Sequence, residues 1–301
     1  MYSRRRVFTG HGAAIYKLGY IAKQHRFFSC SGDGTICSWN PYEALMEGAI
    51  LKSNKPLYAF HLNENYLVAG SYAGILHVAD LEQGKEIKAL QAHHGPVFSL
   101  LYEPMHKLWL SGGGDGLICV FSDRFELIRK ISVGQGKVRS IRVNREASSI
   151  LVACGDGRVQ RFTLPGFELL QQKAANELSC NSVLFYQSDE NIFLSGGRDA
   201  HLMMHAWDKP EAIKKIPAHN FAIYDMLSAP EANTLITASR DKSIKVWNLN
   251  DLSFRMKLDE SAGGHKRSVN TLAWIEPGRS FISGGDDREI ILWSLDEGAA
   301  S

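Results

Sequence analysis

One short unit recurs along the 301-residue chain at intervals of about forty residues, and a period of that size permits few folds. It is clearest in SCSGDGTICSW (29–39), LSGGGDGLICVF (110–121), VACGDGRVQRF (152–162), LSGGRDAHLMMHAW (194–207), TASRDKSIKVW (237–247) and SGGDDREIILW (283–293). Each copy runs from small residues at the end of an apolar segment, through an aspartate, into an alternating strand closed by Trp or Phe. The aspartates are Asp33, Asp115, Asp156, Asp199, Asp241 and Asp287. Between the first two lies VAGSYAGILHVAD (68–80), a seventh copy with Ala73 in the aspartate position. The seven anchors are then 40, 42, 41, 43, 42 and 46 residues apart. A unit this short cannot bury its apolar face alone, so the copies must stack on one another.

Upstream lies a second column. His11, His93, His219 and His265 each stand four residues before an apolar residue: Ile15, Val97, Ile223 and Val269. Each unit has room for four short strands, which in the third read GPVFSLLYE, KLWLSGG, GLICVF and ELIRKI. Their alternation and the intervening Gly, Pro, Asp and Asn turns give an all-β pattern without long helical periodicity.

On these residues the chain resembles the WD-repeat β-propeller family. The carriers are Gly10-His11, Gly264-His265, the Ala-His pairs at 92–93 and 218–219, the turn aspartates, and Trp39, Trp207, Trp247 and Trp293. The likeness runs from Arg4 to Leu295. It implies one seven-bladed β-propeller of four-stranded antiparallel blades, filling residues 1–301 as a single domain. The last repeat stops after ILWSL, without a fourth strand, and SRRRVF (3–8) fits the gap. Pairing that N-terminal strand into the last blade would close the ring and hide two open edges.

His, a hydroxyl residue, Asp and Trp recur as sets: His11, Ser29, Asp33, Trp39; His219, Thr237, Asp241, Trp247; and His265, Ser283, Asp287, Trp293. His93, Ser111 and Asp115 form a set without the tryptophan. Read singly, each resembles a Ser-His-Asp catalytic triad. The family resemblance implies a structural tetrad instead: Asp accepts from His, His meets the hydroxyl, and the hydroxyl takes the indole N–H. Copies in separate blades do not suit one active site, so no catalytic residue is expected. Repeats two, four and five depart from the pattern, with Ala73 for Asp, Ala79 and Phe162 for Trp, and Gly134 and Asn176 for His. They read as weak blades held by strong neighbours, or as blades given over to a binding surface.

Other chemistry is sparse. The glycines of GGGDG belong to one hairpin of seven, and GQGKV (134–138) lacks the first Gly and the Ser/Thr of a phosphate-binding loop. His201 and His205 are four apart, which on a strand separates them by ~13 Å, too far for one metal. No metal or cofactor is expected. Which of His205 and Trp207 takes the tryptophan position stays open. The five cysteines, Cys30, Cys37, Cys119, Cys154 and Cys180, form no C-x-x-C pair and mostly sit in strand-like runs, which suits buried thiols. No uncharged apolar run reaches the ~18 residues of a membrane span, and no signal-peptide pattern follows MYSRRR, so a cytoplasmic location is expected.

The expected function is that of a non-enzymatic protein-interaction scaffold. In the family, the rim near the turn aspartates is often the contact surface. Its columns here present Tyr16, Tyr58, Tyr72 and Phe98 in blades one to three. Blades four to six present Lys137, Arg139, Arg198 and Arg240, with Tyr224 beside them. Aromatics and arginine dominate binding hot spots, and the basic residues favour an acidic or phosphorylated protein or peptide. The alternatives are RNA or phosphoinositide binding through the basic sector, and an enzyme acting at the channel. With a net charge of only +2, nucleic acid is not the expected partner.

Overall fold

The computed structural model describes residues 1–43, 45–187 and 189–296. Among them, 28 strands form seven four-stranded antiparallel sheets, the blades of a seven-bladed β-propeller. Blade 1 shows how sequence sets position. Its strands Ile15–Ile21, Arg26–Ser31, Thr35–Asn40 and Leu45–Lys52 pair in that order from inner to outer edge. The second strand, RFFSCS, is buried at every residue but the first, because both faces of a mid-blade strand are covered. The fourth, LMEGAILK, is largely exposed, because it lies at the outer edge of the blade.

The last blade is completed from the other end of the chain. Tyr2–Phe8 pairs antiparallel with Ile290–Leu295, from Tyr2↔Leu295 to Phe8↔Ile290. Both ends of the strand are anchored. Tyr2 meets Phe281 edge-on and donates its hydroxyl to Gly278 O at 2.5 Å, while Phe8 packs edge-on to Phe27 and Trp39 of blade 1. Between them, the Arg6 guanidinium donates to Pro41 O at 2.9 Å.

The chain divides into two compact units, Met1–Leu57 with Tyr224–Ser301, and Tyr58–Ile223. The first holds blades 1, 6 and 7. There the apolar core lies between neighbouring blades, with Ile236, Ile244, Val269, Phe281 and Trp293 in one cluster. Polar ties cross the same seams: Asp225 Oδ2 accepts from Leu272 N at 3.1 Å, and Asn270 Nδ2 donates to Ile15 O at 3.0 Å.

The second unit holds blades 2 to 5. Its inner strands Val97–Glu103, Val138–Val143 and Cys180–Tyr186 lie side by side in chain order. Leu110, Ile118, Val138, Ile150 and Val152 fill one seam, and Leu151, Val159, Val183 and Phe193 another. Cations on the outer strands stitch the perimeter. Lys88 donates to Phe125 O at 3.3 Å, Arg129 to Gly166 O at 2.6 Å and Lys173 to Ala206 O at 2.8 Å.

In the hairpin of GGGDG, Gly116 takes φ +76°, and a Cβ there would stand 2.5 Å from Gly134 O. A glycine is therefore the least strained residue at this turn. All five cysteines are buried free thiols. Burial pushes Cys119 up to about 11 and Cys154 up to about 12.

Candidate functional site

The recurring His-hydroxyl-Asp sets are the first place to look for chemistry. In blade 1, His11 Nδ1 lies 2.9 Å from Asp33 Oδ2 and Nε2 lies 2.6 Å from Ser29 Oγ. Trp39 Nε1 donates to the same Oγ at 2.7 Å. Blade 7 repeats this: His265 Nδ1 lies 2.9 Å from Asp287 Oδ1, its Nε2 lies 2.8 Å from Ser283 Oγ, and Trp293 Nε1 donates to that Oγ at 2.8 Å. One assignment satisfies every group, with indole N–H to hydroxyl, hydroxyl to Nε2, and Nδ1–H to carboxylate. In blade 3, His93 joins Asp115 at 3.0 Å and Ser111 at 2.8 Å, and Phe121 stands where the indole would. In blade 6, Trp247 Nε1 donates to Thr237 Oγ1 at 3.0 Å, while Asp241 Oδ1 accepts from the Ser243 hydroxyl at 2.6 Å; His219 is buried.

Ser29, Ser111 and Ser283 are wholly buried with their hydroxyls engaged, so none presents an oxygen to a substrate. For Asp33, burial alone would push the carboxyl up. Hydrogen bonds from Thr35, His11 and Gly12 outweigh it and hold the pKa at about 2. Burial keeps His93 below its ordinary range despite Asp115, so this imidazole stays neutral.

Blades 4 and 5 replace the set rather than leave it vacant. In blade 4, Arg158 grips Asp156 through Nε at 2.9 Å and a terminal nitrogen at 2.7 Å, and also reaches Val133 O at 3.1 Å. Gly134, in the histidine position, makes the room, since a Cβ there would stand 2.7 Å from that guanidinium. In blade 5, Asn176 Nδ2 donates to Asp199 Oδ1 at 3.0 Å. There His205, not Trp207, meets the serine, with Nε2 3.2 Å from Ser195 Oγ. Trp207 instead packs on Phe193 at 4.5 Å. His201 and His205 share the strand His201–Ala206, and His201 Nδ1 turns to Asp199 O.

A second cluster lies where the inner strands of the second unit begin, beside the aspartate turns. Tyr58 and Tyr72 sit with ring centroids 6.2 Å apart. Tyr58 also stacks on Phe98 at 6.0 Å and 26°. Arg139 places its guanidinium carbon 4.6 Å from the Phe98 centroid, and Lys137 Nζ lies 6.0 Å from it. Three blades thus contribute to one continuous row. Phe98 is further seated by Gly114, where a Cβ would stand 3.4 Å from its ring. Arg198 is exposed on the neighbouring blade, its backbone held by Arg198 N→Ser179 O at 2.8 Å. Tyr16, Tyr224 and Arg240 belong to the first unit. There Tyr16 lies half-buried over Gly32, Tyr224 is half-buried, and Arg240 is exposed.

Two residues escaped the sequence reading: Leu178 and Phe221, which are 50% and 56% exposed. Each is the second residue after the histidine position of its repeat, Asn176 or His219. The signal was present, because Ala13 and Gly95 hold the same place in blades 1 and 3. In blade 7 the same place is taken by Arg267.

Seven antiparallel blades carrying buried His-hydroxyl-Asp-Trp sets define a β-propeller of the tetrad-bearing kind. The profile of the WD domain, G-beta repeat (WD40), matches residues 2–40, 84–122, 210–248 and 257–294, together half of the chain, which belongs to that family. The unmatched stretches hold most of blade 2 and blades 4 and 5, those whose tetrads are altered. The chain is 22% identical over 213 residues to the Periodic tryptophan protein 2 homolog of Caenorhabditis elegans, covering 69% of this chain and 21% of that protein. It is 24% identical over 265 residues to the nuclear distribution protein nudF of Aspergillus niger, covering 80% and 59%. A shorter match, 42% identical over 69 residues, links it to the small ribosomal subunit protein RACK1y of Oryza sativa subsp. japonica, covering 23% and 19%. The chain spans less than two thirds of the length of each. No helix among the described residues is long and apolar enough to cross a membrane.

Proposed function

We propose that the chain acts as a non-enzymatic scaffold that holds an acidic or phosphorylated segment of a protein partner on the turn face of its second unit. The observation that carries this reading is the row Tyr72, Tyr58, Phe98, Arg139 and Lys137, built by three successive blades. Aromatic rings supply contact area at little entropic cost, and cations ordered on a ring meet an anion without further freezing. Arg198 adds a third cation on the next blade. Tyr16, Tyr224 and Arg240 hold equivalent places in the first unit and are proposed as contacts in their own right.

The test is to capture a partner and titrate it against Tyr58→Ala and Arg198→Ala, with Lys85→Ala on an outer strand as control. Losses of ~1–3 kcal/mol are expected at each site residue, and only the arginine effect should weaken in salt. Wild-type affinity in both variants would eliminate this face.

A further inference from the structure

We propose that the outer strand of blade 4, Leu169–Ala174, is a self-association edge through which two copies of this chain pair about a two-fold axis. It is a different surface from the aromatic and basic row.

Every blade ends in an outer strand bonded on one side only, and such an edge can pair with another chain unless something guards it. In a two-fold antiparallel pairing each strand meets its own copy in reverse, so its sequence fixes which side chains stand opposite. Pairing the full strand sets Arg129 against Lys130 in Leu127–Ser132, Lys214 against Lys215 in Ala212–Pro217, and Arg255 against Lys257 in Phe254–Leu258. It sets Lys88 against its own copy in Lys85–Gln91, and Arg5 against its own copy in Tyr2–Phe8. Cations directly opposite one another repel, so these five edges reject their own copies. Leu45–Lys52 brings no like charges together, but it carries two register shifts against its inner neighbour, and bulges twist an edge away from pairing.

Leu169–Ala174 has a single register shift and a single charge. Pairing LLQQKA with its copy sets Leu169 against Ala174, Leu170 against Lys173 and Gln171 against Gln172. Leu169 and Leu170 are 51% and 49% exposed, so the pairing covers apolar surface that a single chain leaves in water. Lys173 offers its aliphatic stem to Leu170, its ammonium being already drawn to Ala206 O at 2.8 Å. Gln172 is likewise set in place by Arg158 and Gln160, which donate to its Oε1 at 3.3 and 3.4 Å. Little ordering therefore remains to be done on pairing. The residues just outside the strand, Glu168 and Ala175, add no like-charge pair in this register. One six-residue edge is smaller than the ~1,200 Å² of a stable specific interface. The dimer therefore forms at high concentration, or on a partner that engages both copies at once.

Sedimentation velocity on the intact chain, from about 5 to about 500 µM, should show monomer giving way to dimer and nothing larger, because a two-fold pairing uses up its edge. Hydrogen exchange at the two ends of that range should show the amides of Leu169–Ala174 slowed at the higher concentration. Those of Leu127–Ser132 and Ala212–Pro217 should not change. Leu170→Lys puts a cation opposite Lys173 at two symmetry-related places, and should weaken the dimer about tenfold in a protein that melts like wild type. Ile213→Lys, on the outer edge of blade 5, should leave dimerisation as it is. A chain that stays monomeric across the range overturns the proposal. So does a dimer as strong in Leu170→Lys as in wild type, or one whose slowed amides lie outside Leu169–Ala174.

Discussion

At the scale of single residues, the polar chains inside the blades set the energetics. Asp33 satisfies four donors: His11 Nδ1, Gly12 N, Thr35 N and the Thr35 hydroxyl. Asp33→Ala leaves them competing for partners in a half-buried turn and should cost about 1–3 kcal/mol in denaturant unfolding. Ala73→Asp should gain little, because blade 2 lacks the other members. The pH response follows from the same groups. The carboxyl of Asp33 has a folded pKa of about 2 against an ordinary 3.8, so its contribution is present above pH 3.8 and lost as the pH falls toward 2. His205 is held down to about 4 from 6.5, first by burial and then by the charge of Lys173. The unfolded chain takes this proton near 6.5 and the folded one only near 4. Stability should therefore decline as the pH falls through that interval, and His205→Gln should remove this part of the slope. Melting temperatures at pH 7, 5.5 and 4 test it; an unchanged slope in the variant would refute the assignment.

At the scale of strands, the N-terminal segment carries the largest consequence. Without Tyr2–Phe8, the strand Ile290–Leu295 loses its outer partner and presents a row of unpaired N–H and C=O groups, an invitation to edge pairing. The buried Tyr2 and Phe8 are lost from two clusters at the same time. Deleting residues 2–9 should lower the melting temperature far more than trimming an exposed terminus, and should produce aggregates by light scattering. Unchanged melting and monodispersity would refute this. The strand itself was legible as SRRRVF, because the last repeat visibly lacks its fourth segment. The perimeter stitches were not. Lys88, Arg129 and Lys173 read as ordinary solvated charges on polar outer strands, and only their reach to the next blade's turn gives them carbonyl partners.

At the scale of the whole molecule, all five thiols are buried without being paired. A thiol reagent should label the native protein only as fast as it opens, and five thiols at once in denaturant. Rapid native labelling of even one would contradict the burial described. The blade count, the aspartate hairpins, the strand borrowed from the N-terminus and the unusual character of repeats two, four and five were all determined by the sequence. Each follows from comparing the chain with itself, and a repeat must bury the same positions every time. Tertiary structure decided what a period cannot encode. Arg158 fills the space left by Gly134 because that space exists only once the turns are folded together. His205 takes the serine rather than Trp207 because strand register, not residue type, decides which ring arrives there. Arg139 and Lys137 settle on Phe98 of another blade, joining two sectors that the repeat columns keep apart. Identity within a repeat is local and can be read along the chain; contacts between repeats depend on side-chain reach across a seam, which only the packed blades define.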